Sequence, residues 1–353
     1  MACDTGGTIA MDASLFDYEL PEELIAQEPI EPRDHARMLV LHRETGAIEH
    51  RHFYDLPEYL REGDTLVLND TRVSAWRLFG RKPTGGRVEV LLMRPLGDGR
   101  WQALVRPGRR LPEGTRVLID TPPHKPPIEM EVQIEARLQD GTRIVRLFAN
   151  QPVEAILPEV GRVPLPPYIH RELPDPERYQ TVVARQPGSA AAPTAGLHFT
   201  PQLLETLRQQ GVQVATITLH ISLDTFRPLQ SDQIEEHKMH GEWYTVSPEA
   251  AEIINNTRGR IVAVGTTSVR TLESAAVGKR RVQAQTAETK LYITPGYEFK
   301  VVEGLITNFH LPRTTMLVLV SAFAGREKVL HAYREAVRLR YRFLSFGDAM
   351  LIL

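Results

Sequence analysis

Asp64-Thr65-Leu66-Val67-Leu68-Asn69-Asp70-Thr71-Arg72 reads as a buried strand over 64–68 that ends in four polar residues. A short apolar run with polar groups at its carboxyl end is the pattern of α/β sheets, which place ligands there. The character of the chain changes directly afterwards. Runs at 88–93, 101–105, 116–119, 130–136 and 143–148 are short and β-prone, and Gly85-Gly86, Gly97-Asp98-Gly99, Pro112-Glu113-Gly114 and Asp140-Gly141 separate them. Strands at hairpin spacing with such turns predict a small antiparallel barrel. Upstream, 38–42 and 48–53 read as a hairpin followed by a short helix at 56–60, and downstream strands and helices alternate again. The expected fold is therefore an α/β main domain with an inserted small antiparallel β-barrel domain. Residues 11–70 and 160–353 form the discontinuous α/β part, 71–159 the insert, and the proline-rich 163–169 a stiff return linker.

Composition bounds the function. With 353 residues, 42% of them hydrophobic and 24% charged, the chain has the make-up of an ordinary globular protein of about two domains. Cys3 is the single cysteine, which excludes an intrachain disulfide and a cysteine-based metal site and suits a reducing cytoplasm. No run approaches the ~20 apolar residues of a membrane helix. The net charge of −2 argues against a uniformly basic nucleic-acid binder. It conceals an asymmetry, because residues 72–146 carry 15 Lys and Arg against 8 Asp and Glu. A basic segment in an otherwise acidic chain is a candidate polyanion contact, with a solvated barrel surface as the alternative.

Four polar stretches are candidates for chemistry. In Pro193-Thr194-Ala195-Gly196-Leu197-His198-Phe199-Thr200, a glycine turn carries a threonine and a histidine to a helix start. Upstream, Gln186-Pro187-Gly188-Ser189 and an alanine run read as a flexible approach. Downstream, Thr200 is the expected N-cap and Pro201 the first helical residue, with Leu203, Leu204 and Leu207 on one face and Gly211 as the stop. A strand over 212–221 follows. Such a turn can present N–H groups to an anion, and His198 can move protons; a packed structural histidine is the alternative. In the second stretch, a strand over 261–264 runs into Gly265-Thr266-Thr267-Ser268 and a helix over 269–276. Three hydroxyls there suit a ribose or a carboxylate, against ordinary capping by Thr266 or Thr267. This is not a Gly-x-Gly-x-x-Gly fingerprint. In the third, His237, His240 and Glu242 have a spacing that can ligate a metal, but no cysteine or further acidic cluster accompanies them. The fourth, Thr307-Asn308-Phe309-His310, ends a strand before a buried helix at 315–323. A last amphipathic helix is expected, with Leu330, Tyr333, Val337, Tyr341 and Leu344 on one face and Arg334, Arg338 and Arg342 on another.

Asp4-Thr5-Gly6-Gly7-Thr8-Ile9-Ala10 resembles the opening of bacterial asparaginases. Those enzymes need a preceding buried strand and a later Asp-Gly-Thr-Asp-Thr motif, and neither is present. Residues 1–10 are expected to be a disordered extension.

Taken in order, the motifs resemble the S-adenosylmethionine:tRNA ribosyltransferase-isomerase family of queuosine biosynthesis. The stretches that carry the likeness are FDYELPEELIAQEP (16–29), LVLNDTRV (66–73), PTAGLHFT (193–200), TLHISLDTFRP (218–228), HKMHGEWY (237–244), GTTSVRTLES (265–274), LITNFHLPRTTMLVLVSAFAG (305–325) and YRFLSFGDAMLI (341–352). Ser222 and Asp224 stand where that family commonly has glycine. The resemblance implies a tRNA of the GUN-anticodon type bearing 7-aminomethyl-7-deazaguanine at the wobble position. It also implies S-adenosylmethionine as ribosyl donor, and epoxyqueuosine-tRNA, adenine and methionine as products, with no metal. For that chemistry His198 and His310 are the acid/base candidates, with Asp224 and Glu273, and also Asp70 and Asp348, as carboxylate alternatives. Thr194, Gly196, Thr266, Thr267 and Ser268 are expected to hold ribose hydroxyls or the methionine carboxylate, with Arg270 as ionic partner and Asn308 at a base edge. Arg106, Arg109 and Arg110 of the basic insert are the expected tRNA contacts, and a cytoplasmic monomer is the expected form. A methyltransferase releasing S-adenosylhomocysteine and a non-catalytic tRNA-binding protein are the competing classes.

Overall fold

The structure, a computed structural model, describes residues 11–121, 127–139, 141–222, 229, 232–237, 239 and 241–353. The ten-residue extension, Asp224 and His240 lie outside the described residues. Two compact units form. The first takes the chain up to Asp70 together with Pro167–Ala184 and Pro193–Leu353; the second is Thr71–Pro166 with Arg185–Ala192. An insert ending at 159 is thus too simple. Residues 160–166 stay with the second unit, and 185–192 return to it. The expected flexible approach is in fact a strand, Gln186–Ser189, paired in parallel with Thr71–Val73. That pairing spans more than a hundred residues, and no local pattern announces it.

The first unit is built on a nine-stranded sheet. In spatial order its strands are Gln285–Thr289, Glu242–Val246, Gln213–Leu219, Thr65–Asn69, Ile261–Val264, Gly304–Asn308, Ala349–Ile352, Arg37–Leu41 and Ile48–His52. The block from Gln213–Leu219 to Gly304–Asn308 is parallel. Every residue of Thr65–Asn69, Ile261–Val264 and Gly304–Asn308 is buried, as in strands covered on both faces. Towards one edge of the sheet, Glu242–Val246 alternates instead, with Tyr244 buried and Trp243 exposed. On one face Leu66, Leu68, Val262, Val264, Ile306 and Leu351 pack with Leu203, Leu204 and Leu207 of the helix Pro201–Gln209. Val67, Ala263 and Leu305 point to the other face by the two-residue period of a strand. Thr200 caps the helix Pro201–Gln209, its Oγ1 accepting from the Leu203 N–H at 3.1 Å.

The terminal helices depart from the expected pattern in one respect. Thr315–Ala324 is almost wholly buried, and Arg326–Arg338 buries Leu330 and Tyr333 while Arg334 and Arg338 stay exposed. Tyr341 and Leu344, expected on the same helix, lie beyond its end. Arg340 and Leu344 take φ of +54° and +70°, which no α-helix accommodates, and both tyrosine and leucine turn inward from the loop.

The second unit is a closed barrel of six strands: Arg143–Ala149, Arg100–Arg106, Arg87–Gly97, Trp76–Arg81, Arg116–Ile119 and Met130–Arg137. Five were legible as alternating runs. Trp76–Arg81 was not, since Arg77, Gly80 and Arg81 obscure the buried Leu78. Gly80 is required there, because a Cβ would lie 2.3 Å from the Leu118 carbonyl of the neighbouring strand. The helix Val153–Val160 was also missed; Ile156, Leu157 and Val160 join the barrel core.

Candidate active site

The parallel pairing sets Ile217 beside Asn69, and Val264 beside Ile306, so these strands deliver their carboxyl ends to one edge of the sheet. Ala349 lies opposite Asn308 and beside Met38, so two further strands start at that same edge. Three of the candidate stretches meet here: the turn at 194–198, the segment after Val264, and residues 308–310. The loop at 342–348 joins them. No local signal places that loop at the site; sheet order does.

Thr194–His198 is a 3-10 turn. Thr194 Oγ1 donates to Asn308 Oδ1 at 2.9 Å, and Asn308 Nδ2 donates to the Leu344 carbonyl at 3.1 Å. One amide thus ties the turn to the strand end and to the 342–348 loop. Gly196 is a packing residue, since a Cβ there would press on Thr181 Cγ2 at 3.0 Å.

His198 is not held as a base facing a helix N-terminus. Its Nδ1 lies 3.1 Å from the Ala195 carbonyl and its Nε2 3.0 Å from the Gly347 carbonyl, and the ring stacks on Phe53. Both nitrogens therefore meet backbone acceptors. Burial lowers the pKa below the ordinary imidazole value, although the two carbonyls and Asp348 oppose the shift. A small cleft opens beside it, lined also by Arg33, Arg178 and Ser345.

His310 differs. Its Nε2 lies 2.8 Å from Thr307 Oγ1, its backbone N–H donates to Tyr333 Oη at 3.1 Å, and its carbonyl accepts from Tyr18 Oη. These contacts lock the backbone and one side of the ring and leave Nδ1 without a hydrogen bond among the described residues. Burial drives its pKa down to about 3, so the ring is neutral at physiological pH.

The segment after Val264 is a helix from its first threonine. Gly265 is the N-cap at φ +87° with no side-chain cap, and the helix runs Thr266–Ser274. Neither Thr266 nor Thr267 caps it, because both are inside the first turn. Helix N–H groups without a side-chain cap face the shared edge. Thr267 Oγ1 accepts from Asn69 Nδ2 at 3.3 Å, and Asn69 also bonds the Leu219 carbonyl. Ser268 is fully buried and donates back to the Val264 carbonyl at 2.7 Å, so its hydroxyl serves the helix.

Arg270 reaches across to Glu242, with Nε on the Leu291 carbonyl at 3.1 Å. Glu242, raised as a metal ligand, is instead the partner of this arginine. Among the described residues no group of three His, Cys, Asp or Glu is placed to hold a metal. Glu273 does not belong to the site. Its carboxylate accepts from the N–H groups of Lys300, Val301 and Val302 at 2.9–3.0 Å and from Tyr297 Oη at 3.2 Å. Those residues precede the Gly304–Asn308 strand and so mark the opposite edge. Asp348 is likewise structural, accepting from the N–H groups of Arg37 and Arg342. Asp70 accepts from Thr218 Oγ1 at 2.6 Å. Sequence reading gave Ser222 no binding role and Glu242 only a metal-ligating one. A buried glutamate opening a strand was the available signal.

In the barrel, Arg106, Arg109 and Arg110 are exposed around the turn Gly108–Arg110. The buried Arg143 holds that turn, donating to the carbonyls of Gly108 at 3.0 Å and Gly141 at 2.8 Å.

Comparison with known proteins agrees over nearly the whole length. A protein of Moorella thermoacetica named S-adenosylmethionine:tRNA ribosyltransferase-isomerase is 55% identical, covering 96% of this chain and 98% of its own. One of the same name from Symbiobacterium thermophilum is 53% identical, covering 97% of this chain and 100% of its own. The crystal structure of the S-adenosylmethionine tRNA ribosyltransferase of Thermotoga maritima matches with a TM-score of 0.54 at 43% identity, covering 96% of this chain and 100% of that one. Residues 13–352 match the family described as queuosine biosynthesis protein, and the chain belongs to that family.

Proposed function

We propose that the protein transfers the ribosyl moiety of S-adenosylmethionine to 7-aminomethyl-7-deazaguanine at the wobble position of a GUN-anticodon tRNA, and isomerises it. The products are epoxyqueuosine-tRNA, adenine and methionine. The observation that carries this reading is the meeting of Thr194, Thr266, Asn308, His310 and Arg270 at the carboxyl edge of a parallel sheet, in a chain of this family. Such an edge is where open α/β sheets take their ligands.

The bound sulfonium makes the neighbouring C5′ proton acidic and activates the sugar for loss of adenine. The residues supply position and proton handling. Thr266 and Thr267 at an uncapped helix start offer donors to sugar hydroxyls, and the Thr194–Asn308 pair fixes the wall beside them. His310 takes the acid/base role because its Nδ1 carries no hydrogen bond among the described residues; burial disfavours the imidazolium, so a proton it accepts has to be passed on and not held. His198 becomes a positioning residue that clamps the 194–198 turn to Gly347. The proposed reaction involves no metal ion.

The test is chromatography of small molecules after incubation with S-adenosylmethionine and tRNA bearing the aminomethyl base. Equimolar adenine and methionine are expected. S-adenosylhomocysteine would show methyl transfer and overturn the reading, and no product at all would return the protein to tRNA binding alone.

The barrel arginines are proposed to hold tRNA phosphates. Replacing Arg106, Arg109 and Arg110 together by glutamine should weaken tRNA binding and flatten its dependence on salt. The log–log slope should fall by about one unit for each phosphate no longer neutralised. Affinity for S-adenosylmethionine should not change. A salt slope equal to the wild type would make these arginines ordinary solvated surface. The protein acts in the cytoplasm as a monomer in this proposal; no described helix is long and apolar enough to cross a membrane.

A further inference from the structure

Two polar atoms near the site are buried without any hydrogen-bond partner among the described residues: Ser222 Oγ and Arg270 Nη2. One carboxylate grips both residues. Glu242 Oε1 accepts from the Ser222 N–H at 3.0 Å, and Oε2 accepts from Arg270 Nη1. With Nε held by the Leu291 carbonyl, the guanidinium is fixed at two of its three nitrogens, and the third meets no acceptor among the described residues. Arg270 is 6% exposed and Glu242 4%. Buried donors are almost always satisfied in folded proteins, so two that meet no acceptor among the described residues, on residues joined by one carboxylate, point to an acceptor beyond those residues.

We infer that Arg270 Nη2 and Ser222 Oγ form the seat for a carboxylate, the α-carboxylate of the methionine part of S-adenosylmethionine, and that Glu242 is the residue that positions it. The inference rests on the activity proposed above and deepens it. A carboxylate offers two oxygens and no hydrogen, so it accepts from an N–H and an O–H at once. A ribose diol would bring its own donors, which would need acceptors in turn. The arrangement also orders the substrate along the edge. Glu242 opens the strand next to Gln213–Leu219, four strand spacings, or about 19 Å, from the strand that ends at Asn308. The Arg270 side chain reaches towards Glu242 from the helix that follows Val264. The methionine end then lies towards Glu242, and the sugar and adenine lie towards Thr266 and His310.

The experiment compares binding of S-adenosylmethionine with binding of its decarboxylated analogue by titration calorimetry on the full chain. Wild-type protein is expected to bind the analogue about 30-fold or more weakly. Ser222→Ala and Glu242→Gln should weaken binding of S-adenosylmethionine by roughly 5- to 100-fold, leave binding of the analogue as it was, and show the loss in KM rather than kcat. Glu242→Gln breaks a buried ion pair and its melting curve must be recorded alongside. The analogue comparison on wild-type protein and the Ser222→Ala variant do not depend on it. Equal wild-type affinity for both ligands would overturn the inference. So would a loss that follows removal of a ribose hydroxyl instead of the carboxylate. Adenine release by a protein that ignores the carboxylate would sink the seat and leave the proposed activity standing, whereas no binding and no adenine would sink both.

Discussion

His310→Asn is expected to lower kcat by roughly 10²–10⁴-fold, the usual range for losing a general acid/base group, while the KM for S-adenosylmethionine changes much less. Asparagine keeps a polar side chain beside Thr307, and the backbone contacts to Tyr333 and Tyr18 are unaffected by it. Melting temperature should therefore stay within a few degrees of the wild type. A variant that folds normally and turns over at the wild-type rate would remove His310 from the chemistry. The same histidine has a signature in pH. Its folded pKa of about 3 lies below the ordinary value of 6.5, so the unfolded chain takes up a proton that the folded protein refuses. Its stabilising contribution is complete above pH 6.5 and is lost as pH falls towards 3, with a slope of about 1.4 kcal/mol per pH unit. His198, lowered in the same direction by burial, adds to that slope. Melting curves between pH 7 and 4 should show it, and His310→Asn should remove its share. The acid limb of kcat/KM should show no ionisation near 6.5 from His310 in the free enzyme.

His198→Ala is expected to act in the opposite way. The substitution empties a site in the core beside Phe53 and strips the Ala195 and Gly347 carbonyls of their shared partner. Large-to-small changes of this kind cost about 2–4 kcal/mol, which lowers the melting temperature by several degrees. The folded fraction should retain its chemical rate within about threefold, because neither ring nitrogen is left for a substrate. His198→Gln, which restores one donor, should recover part of the stability. Melting curves and single-turnover rates on one preparation decide it. A stable His198→Ala protein with a hundredfold slower chemical step would return the ring to catalysis.

Several parts of this protein are settled by residues close in sequence. The apolar runs at 66–68 and 261–264 read as buried strands, because half-buried strands would alternate, and the structure buries every residue of both. Thr200-Pro201 fixes a helix start by a side-chain cap and a residue that needs no donor. Hairpin spacing between glycine turns determines that a small barrel interrupts the α/β order. Family membership was legible too, since eight ordered motifs do not depend on geometry.

The chemistry of individual side chains was decided only by the tertiary structure. Sequence makes His198 and His310 look alike, each following a threonine by three or four residues in a polar stretch. Folding places Gly347, 149 residues away, against one and leaves the Nδ1 of the other open. Glu273 and Arg270 are three residues apart on one helix. Three residues are only about 4.5 Å along a helix, so it is what the two side chains meet that separates them: Arg270 goes to Glu242 and the Leu291 carbonyl, while Glu273 accepts from the N–H groups of Lys300, Val301 and Val302. Ser222 and Glu242 gained their place because two antiparallel strands bring a loop and a strand start together around Arg270. Hydrogen bonds act over about 3 Å, and only the path of the backbone determines which polar groups come that close.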